Sequence, residues 1–186
     1  MKNLVPLNIE NAPAESREML TKARQNFGFV PNLLGNMAHS PSLLKAYLTL
    51  SSLFDQTCFT PTERQVVLLA TSTQNNCRYC VAAHTAIASM QKVPGDVVMS
   101  VRNNEAIADI KLESLRQFVL ETVETRGWPS EATARRFLDA GYTEAQALEV
   151  LVGIGMKTLS NYTNHIACTP LDAAFAPVAW EPTVKA

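Results

Sequence analysis

Hydrophobic residues recur along most of the chain at spacings of three and four positions, the pattern of helices that bury one face. In one segment, for example, Leu112, Leu115, Val119 and Val123 form a single stripe. Capping residues, or prolines at the first helical position, precede the apolar stretches. No segment of convincing length alternates with the two-residue period of a strand. We therefore predict an all-α fold in a single domain.

The predicted helices are bounded by recognisable signals. They start at Pro13, Pro31, Ser40, Thr60, Cys77, Pro94, Asp109, Ser130 and Thr143. Stop signals lie at Gly28, Asn75, Asn76, Gly127 and Gly141. The starts at Thr60 and Thr143 are capping boxes. In a capping box, the side chain of each of two residues accepts a hydrogen bond from the backbone N–H of the other. On these signals the helical domain covers residues 1–168.

The last part of the chain, residues 169–186, breaks the helical pattern. Three prolines interrupt it, but it also carries the large apolar side chains Phe175 and Trp180. Disordered segments usually lack such residues. We expect this C-terminal tail to form a strap over the body of the molecule or over a neighbouring subunit.

The net charge and the length of the apolar runs each exclude one class of partner. Charged residues make up only 18% of the 186 residues, and the formal net charge is −1. A protein that binds nucleic acid through its phosphates needs a basic excess, so we expect no nucleic-acid partner. The longest apolar run, residues 66–70, is far shorter than the about 20 residues that cross a bilayer, so we expect no membrane partner.

The cysteines are expected to stay reduced in the cytoplasm. Residues 1–16 contain one lysine and no sustained apolar stretch, which is unlike a signal peptide. Without export, the four cysteines are not expected to form a secreted disulfide framework. Cys58, between a helix end and the next cap, is expected to be a small buried apolar residue.

The sparse charge also indicates that part of the surface is buried between copies of the chain. The helix that begins at Thr143 has a sector of small and apolar residues suited to close helix–helix contact: Ala147, Leu151, Ile154, Gly155 and Thr158. The aromatic residues of the tail add apolar surface that one small body does not readily cover. We therefore predict a homo-oligomer built from multiples of two or three chains.

The candidate chemistry lies in the run from Cys77 through Cys80 to His84. At about 100° per residue on a helix, the three side chains share one narrow face. The two sulfurs can close a disulfide, and His84 can exchange a proton with the Cys80 sulfur. The helix N-terminus and the charge of Arg78 are expected to lower a thiol pKa. An activated thiolate, a second thiol and a base together indicate a dithiol redox centre.

Two other interpretations of these residues remain open. Cys77, Cys80 and His84 could be zinc ligands, with His165 and Cys168 as a second pair. Structural zinc sites usually use short, loop-borne ligand pairs, and these two pairs lie on or at the ends of helices. The non-enzymatic alternative is therefore a redox-sensing or zinc-stabilised structural oligomer.

The run from Leu68 to Ala70, followed by the run from Asn76 to His84, resembles the core motif of a known family. That family is the AhpD-like alkylhydroperoxidase branch of the carboxymuconolactone decarboxylases, and the resemblance is strongest over about residues 60–90. It implies a multihelical AhpD-like bundle, hydroperoxide substrates, an external dithiol reductant, no cofactor, and trimers or hexamers. A muconolactone-type decarboxylase is disfavoured, because those family members do not depend on a cysteine pair.

The resemblance also implies residue roles. Cys80 would attack the hydroperoxide, Cys77 would resolve the product as a disulfide, and His84 would belong to a proton relay. The relay glutamate of the family falls at Gln65 here, and an amide can orient an oxygen but cannot carry a proton as a carboxylate does. The nearest carboxylate, Glu63, lies about 200° round the helix from it and is also the capping-box partner of Thr60. Glu63 and Gln65 therefore both stand as candidates for the relay.

Overall fold

The computed structural model describes residues 4–182 and confirms the all-α prediction for them. They form nine α-helices: α1 (Ala14–Phe27), α2 (Asn32–Met37), α3 (Pro41–Asp55), α4 (Pro61–Gln74), α5 (Arg78–Met90), α6 (Gly95–Asn103), α7 (Ile110–Glu124), α8 (Glu131–Asp139) and α9 (Glu144–Ala167). A 3₁₀ segment, Ala173–Val178, follows. Within this part of the chain, no helix has the length and apolarity required to cross a membrane.

The helix boundaries follow the predicted capping residues. Thr60 accepts a hydrogen bond from the backbone of Glu63, and Glu63 accepts one from the backbone of Thr60. Thr143 and Gln146 form the same reciprocal pair at the start of α9. Asn76 has a φ of 53° and turns the chain sharply between α4 and α5. This turn places the first candidate cysteine directly at the start of a helix.

Helix α4 lies at the centre of the fold. Residues 65–72 on it are all buried, because α5, α6, α7 and α9 pack around it. Gly153 of α9 faces both α4 and α3. A Cβ atom at this position would lie 2.8 Å from Val67 Cγ1 and 2.9 Å from Phe54 Cζ, closer than real Cβ contacts allow. The absence of a side chain at Gly153 therefore sets how closely α9 approaches α3 and α4.

The tail packs over its own chain. Phe175 is buried, with its ring centroid 6.0 Å from that of Tyr79 and 5.9 Å from that of Phe29. Trp180 donates from Nε1 to the backbone oxygen of Arg102 at 2.9 Å. Of the two predicted placements of the tail, the structure shows the strap over the body of its own chain. Residues 183–186 of the predicted tail lie outside the described residues.

One sequence expectation about a single residue needs correction. Cys58 is exposed, because the adjacent Phe59 takes the buried position in this loop. Gly155, part of the sector predicted for contact between copies, has no atom of its own chain within 4 Å of an added Cβ, whereas Gly153 makes the close approach within the chain. Within the predicted sector of α9, Leu151 remains 48% exposed, but Ile154 packs partly against the core.

We expect Gly153→Ala to lower the free energy of unfolding by about 1–3 kcal/mol, because the added methyl group overpacks the contact with Phe54 and Val67. Gly155→Ala is the matched control on the same helix. No atom lies within 4 Å of its added Cβ, so it should be neutral or stabilising by up to about 1 kcal/mol. Chemical denaturation measures both, and equal stability of the two variants would contradict the close approach at Gly153.

Candidate active site

The two cysteines of the motif lie side by side at the N-terminus of α5. Cys77 is the N-cap residue, and its N–H donates to the backbone oxygen of Ser72 at 2.9 Å. Cys80 lies in the first turn of the helix. Each cysteine is only 1% exposed, neither is in a disulfide, and both sulfurs lie within 3.7 Å of one amide nitrogen, Asn164 Nδ2. The geometry thus brings together the pair that the spacing predicted.

Helix α9 supplies polar groups to this pair. Asn164 donates from Nδ2 to Cys80 Sγ at 3.2 Å and to Cys77 Sγ at 3.7 Å. The Ser160 hydroxyl oxygen lies 3.8 Å from Cys80 Sγ. Lys157, one turn earlier, is a lysine with only 1% exposure. These three residues are not among the predicted site residues, although polar residues at three- and four-residue spacing on the buried face of an apolar helix are a signal for them.

The two thiols have opposite pKa shifts. Burial opposes ionisation of Cys80, but a hydrogen bond from Cys77 and the charge of the Lys157 ammonium outweigh it and hold the pKa of Cys80 well below its usual value. The hydrogen bond to Cys80, burial and the negative charge on Cys80 all raise the pKa of Cys77. Cys80 is therefore the thiolate of the pair and Cys77 the thiol.

The cation beside the thiolate is not the one expected from the sequence. Arg78 has a side chain that is 67% exposed, and its Nε forms an ion pair of 2.9 Å with Glu181. Lys157 instead provides the positive charge that acts on Cys80. The prediction for Arg78 was wrong because the first residue of α5 points its side chain to the surface.

His84 is a buried, neutral histidine. Its Nδ1 lies 3.1 Å from Gln65 Oε1, while Gln65 donates from Nε2 to Gln91 Oε1 at 3.0 Å. In this arrangement Nδ1 carries the proton, and Nε2 has the free lone pair. Burial, together with the charge of Lys157, holds the pKa of His84 well below its usual value. The described hydrogen bonds include none between His84 and Cys80, so its predicted exchange with the sulfur is not a direct contact in this state.

The structure places Gln65, and not Glu63, beside the histidine. Glu63 caps α4 through Thr60 and lies 3.3 Å from the Lys111 ammonium. These contacts occupy Glu63 at the helix start. The position that the family resemblance implies for a relay group is that of Gln65, which lies beside His84.

Cys80 lines a cavity of about 110 Å³, and we call this cavity the Cys80 cavity. His84 and Lys157 also line it, and most of its other lining residues are aliphatic or aromatic: Phe27, Pro31, Leu33, Leu34, Tyr47, Leu48, Tyr79, Ala83, Ile87 and Phe175. The thiolate, a neutral histidine and an ammonium group therefore meet at one apolar cavity. Such a cavity suits a small organic molecule with a polar reacting centre.

Among residues 4–182, no group of three or more His, Cys, Asp and Glu side chains could hold a metal ion. The zinc alternative needed Cys77, Cys80 and His84 together with His165 and Cys168. His84 faces Gln65 and the Cys80 cavity, whereas His165 and Cys168 are exposed. The described part of the chain therefore does not assemble that ligand set.

A family model described as the carboxymuconolactone decarboxylase family matches residues 41–140, more than half of the chain. The chain belongs to the carboxymuconolactone decarboxylase family. No curated protein matches the sequence significantly.

Solved structures described as peroxidase-related proteins share this fold. A peroxidase-related protein from Ralstonia eutropha JMP134, described as an alkylhydroperoxidase AhpD core, is 22% identical with a TM-score of 0.77, and the match covers 94% of this chain and 96% of that one. A peroxidase-related protein from Silicibacter sp. TM1040 is 17% identical with a TM-score of 0.79, covering 94% and 95%.

A third similar structure is the debrominase Bmp8, in a C82A variant bound to 2,3,4-tribromopyrrole. It is 21% identical with a TM-score of 0.78, and the match covers 95% of each chain. These three likenesses establish the fold of this carboxymuconolactone decarboxylase family member. They also show that proteins of this fold are described with different activities.

We expect Lys157→Met to raise the pKa of the Cys80 thiol by about one unit or more, because it removes the nearby positive charge that favours the thiolate. The pH dependence of alkylation by iodoacetamide measures this pKa. As the pH is lowered, Cys80 of the native protein should stay reactive well below pH 9. Cys80 of the variant should lose its reactivity at a higher pH than Cys80 of the native protein.

Arg78→Gln is the control for this prediction, because it removes the other cation near the cysteine pair. Its side chain is exposed and paired with Glu181, so the alkylation profile should not change. A shift in Arg78→Gln with none in Lys157→Met would show that the source of the charge has been misassigned.

Proposed function

We propose that this protein is a thiol-dependent, peroxidase-type dithiol oxidoreductase that reduces alkyl hydroperoxides through Cys77 and Cys80. The observation that carries the proposal is a buried thiolate–thiol pair whose thiolate, Cys80, opens into an apolar cavity beside His84 and Lys157. The peroxidase-related neighbours of the same fold support it. We place this activity in the reducing cytoplasm.

In the first step, the Cys80 thiolate attacks the distal oxygen of the hydroperoxide. The O–O bond breaks, Cys80 becomes a sulfenic acid, and the alkoxide leaves as an alcohol after protonation. The Lys157 ammonium stabilises the negative charge that develops on the leaving oxygen. His84, with its free Nε2 at the cavity, serves as the group that accepts and returns a proton during substrate binding and release.

In the second step, the Cys77 thiol attacks the sulfenic sulfur of Cys80. Water leaves, and the two cysteines form a disulfide. An external dithiol then supplies two electrons and two protons and restores both thiols. The low exposure of both sulfurs favours this internal resolution over attack by a second protein molecule.

Reductive dehalogenation of a small aromatic ring is a second candidate activity. The Cys80 cavity is lined by aromatic and aliphatic residues, and a similar fold carries a debrominase bound to a brominated pyrrole. A thiolate can accept a halogen from a protonated ring as it accepts an oxygen from a peroxide, and the second thiol then displaces halide to give the same disulfide. Disulfide formation with cumene hydroperoxide but not with 2,3,4-tribromopyrrole would favour the peroxidase activity.

Substitution of each cysteine tests the assigned roles. Cys80→Ser should abolish consumption of cumene hydroperoxide, because it removes the attacking thiolate. Cys77→Ser should consume about one equivalent per chain and then stop, because the sulfenic acid cannot be resolved. Stopped-flow assays with a peroxide indicator measure both variants. Normal turnover by Cys77→Ser, with a single burst from Cys80→Ser, would reverse the assignment.

We expect Gln65→Glu to increase the peroxidase rate, because a carboxylate beside His84 Nδ1 makes the imidazole a stronger base. Glu63→Gln is the comparison and should cost about 1 kcal/mol of stability as a damaged cap, with little loss of rate. Steady-state assays and thermal melts separate the two effects. Loss of turnover in Glu63→Gln at an unchanged melting temperature would identify Glu63 as the relay acid.

We also propose that the protein assembles as a homo-oligomer, a trimer or a hexamer. Two observations support this assembly. Charged residues are sparse, and α9 exposes apolar side chains, with Leu148 68% and Leu151 48% exposed. Multi-angle light scattering at micromolar concentration should give a mass of several chains. A mass near the 20.4 kDa of one chain that persists on tenfold concentration would refute the assembly.

A further inference from the structure

The cysteine pair faces two separate openings. Cys80, but not Cys77, lines the Cys80 cavity. Cys77, but not Cys80, lines a second cleft of about 360 Å³, which we call the Cys77 cleft. Tyr79 lines both and lies between them, with its hydroxyl held by the Asp172 carboxylate and by the backbone N–H of Leu33. The two cysteines thus line different openings.

A third cysteine lies in the Cys77 cleft. Cys168 follows the last residue of α9 in a left-handed conformation with a φ of 50°. Its side chain is exposed, and its Sγ lies 3.8 Å from the backbone oxygen of His165. A buried cysteine, Cys77 at 1% exposure, and the exposed Cys168 therefore line the same cleft.

A buried polar group in the same cleft lacks a partner. Asn164 is 6% exposed and donates from Nδ2 to both sulfurs of the pair, but its Oδ1 has no hydrogen-bond partner among the described residues. A buried amide oxygen without a partner is costly. An acceptor at this point can receive a hydrogen bond from a thiol that enters the cleft to reach Cys77.

We propose that Cys168 is a relay thiol that reduces the Cys77–Cys80 disulfide from the Cys77 cleft and passes the oxidation to an external dithiol at the surface. This relay rests on the proposed function, which forms the disulfide. The Cys168 thiolate attacks Cys77 Sγ, the Cys77–Cys80 bond breaks, a Cys77–Cys168 disulfide forms, and Cys80 leaves as a thiolate. The external dithiol then attacks the exposed Cys168 sulfur, is itself oxidised to a disulfide, and leaves Cys77 and Cys168 as thiols.

The chemistry of the pair favours attack on Cys77. Thiol–disulfide exchange is faster when the departing sulfur is the more acidic one. Asn164 Nδ2 lies closer to Cys80 Sγ, at 3.2 Å, than to Cys77 Sγ, at 3.7 Å, and the pKa of Cys80 is lowered whereas that of Cys77 is raised. Attack from the cleft therefore releases the better leaving group. It also leaves the Cys80 cavity free for the next substrate.

The relay can be tested without a peroxide. Diamide forms the Cys77–Cys80 disulfide directly, and peptide mass mapping verifies it. Reduction of this disulfide by thioredoxin, a bulky protein dithiol, should be at least tenfold slower in Cys168→Ser than in the native protein. Cys58→Ser is the matched control, because Cys58 is the other exposed cysteine and does not line the cleft. Equal reduction rates in all three proteins would overturn the relay.

A trapping experiment tests the contact between the two sulfurs. In Cys80→Ser, combined with Cys58→Ser, the only thiols are Cys77 and Cys168. Diamide should link them within one chain, with a mass loss of two hydrogens and a rate independent of protein concentration. Absence of this bond in a folded variant would overturn the relay alone. Failure of the native protein to form the Cys77–Cys80 disulfide would remove the proposed function and the relay with it.

Discussion

The site depends on the attraction between a buried sulfur anion and a buried ammonium group. Cys80 and Lys157 are each 1% exposed, so neither charge has access to bulk water. Removing either charge from water alone is costly, and a nearby opposite charge compensates for part of that cost. The hydrogen bond between the two thiols, together with this attraction, lowers the pKa of Cys80 and so makes Cys80 the thiolate and Cys77 the thiol.

The fold brings the two charges together through one helix contact. Lys157 lies on α9, and Cys80 lies on α5, which packs beside α4. Gly153, one turn before Lys157, allows α9 to lie against α4 and α3 without a side chain between them. The same stretch of α9 then presents Lys157, Ser160 and Asn164 to the sulfurs in successive turns. Close helix packing and thiol chemistry therefore depend on the same face of one helix.

Local features could be predicted from the sequence, whereas the contacts between distant helices could not. Capping boxes fixed the starts of α4 and α9, and the spacing within α5 placed Cys77 and Cys80 together. The family resemblance implied a relay position at Gln65, and Gln65 lies beside His84. Lys157 lies 77 positions after Cys80, and no local pattern shows which helix faces the cysteines. Arg78, the cation predicted to act on the thiol, is adjacent to the cysteines in the sequence. Sequence proximity alone does not show which way its side chain points.

The buried position of Lys157 also has a consequence for the oxidised protein. When Cys77 and Cys80 join, the negative charge on Cys80 is lost, while the ammonium stays in the same apolar surroundings. The oxidised state therefore carries an uncompensated charge that the reduced state does not. Stabilisation of the reduced form makes a dithiol–disulfide couple more oxidising. The Cys77–Cys80 couple should thus have a higher reduction potential than the same two cysteines in a neutral site. This higher potential favours the transfer of electrons from an external donor to the Cys77–Cys80 disulfide.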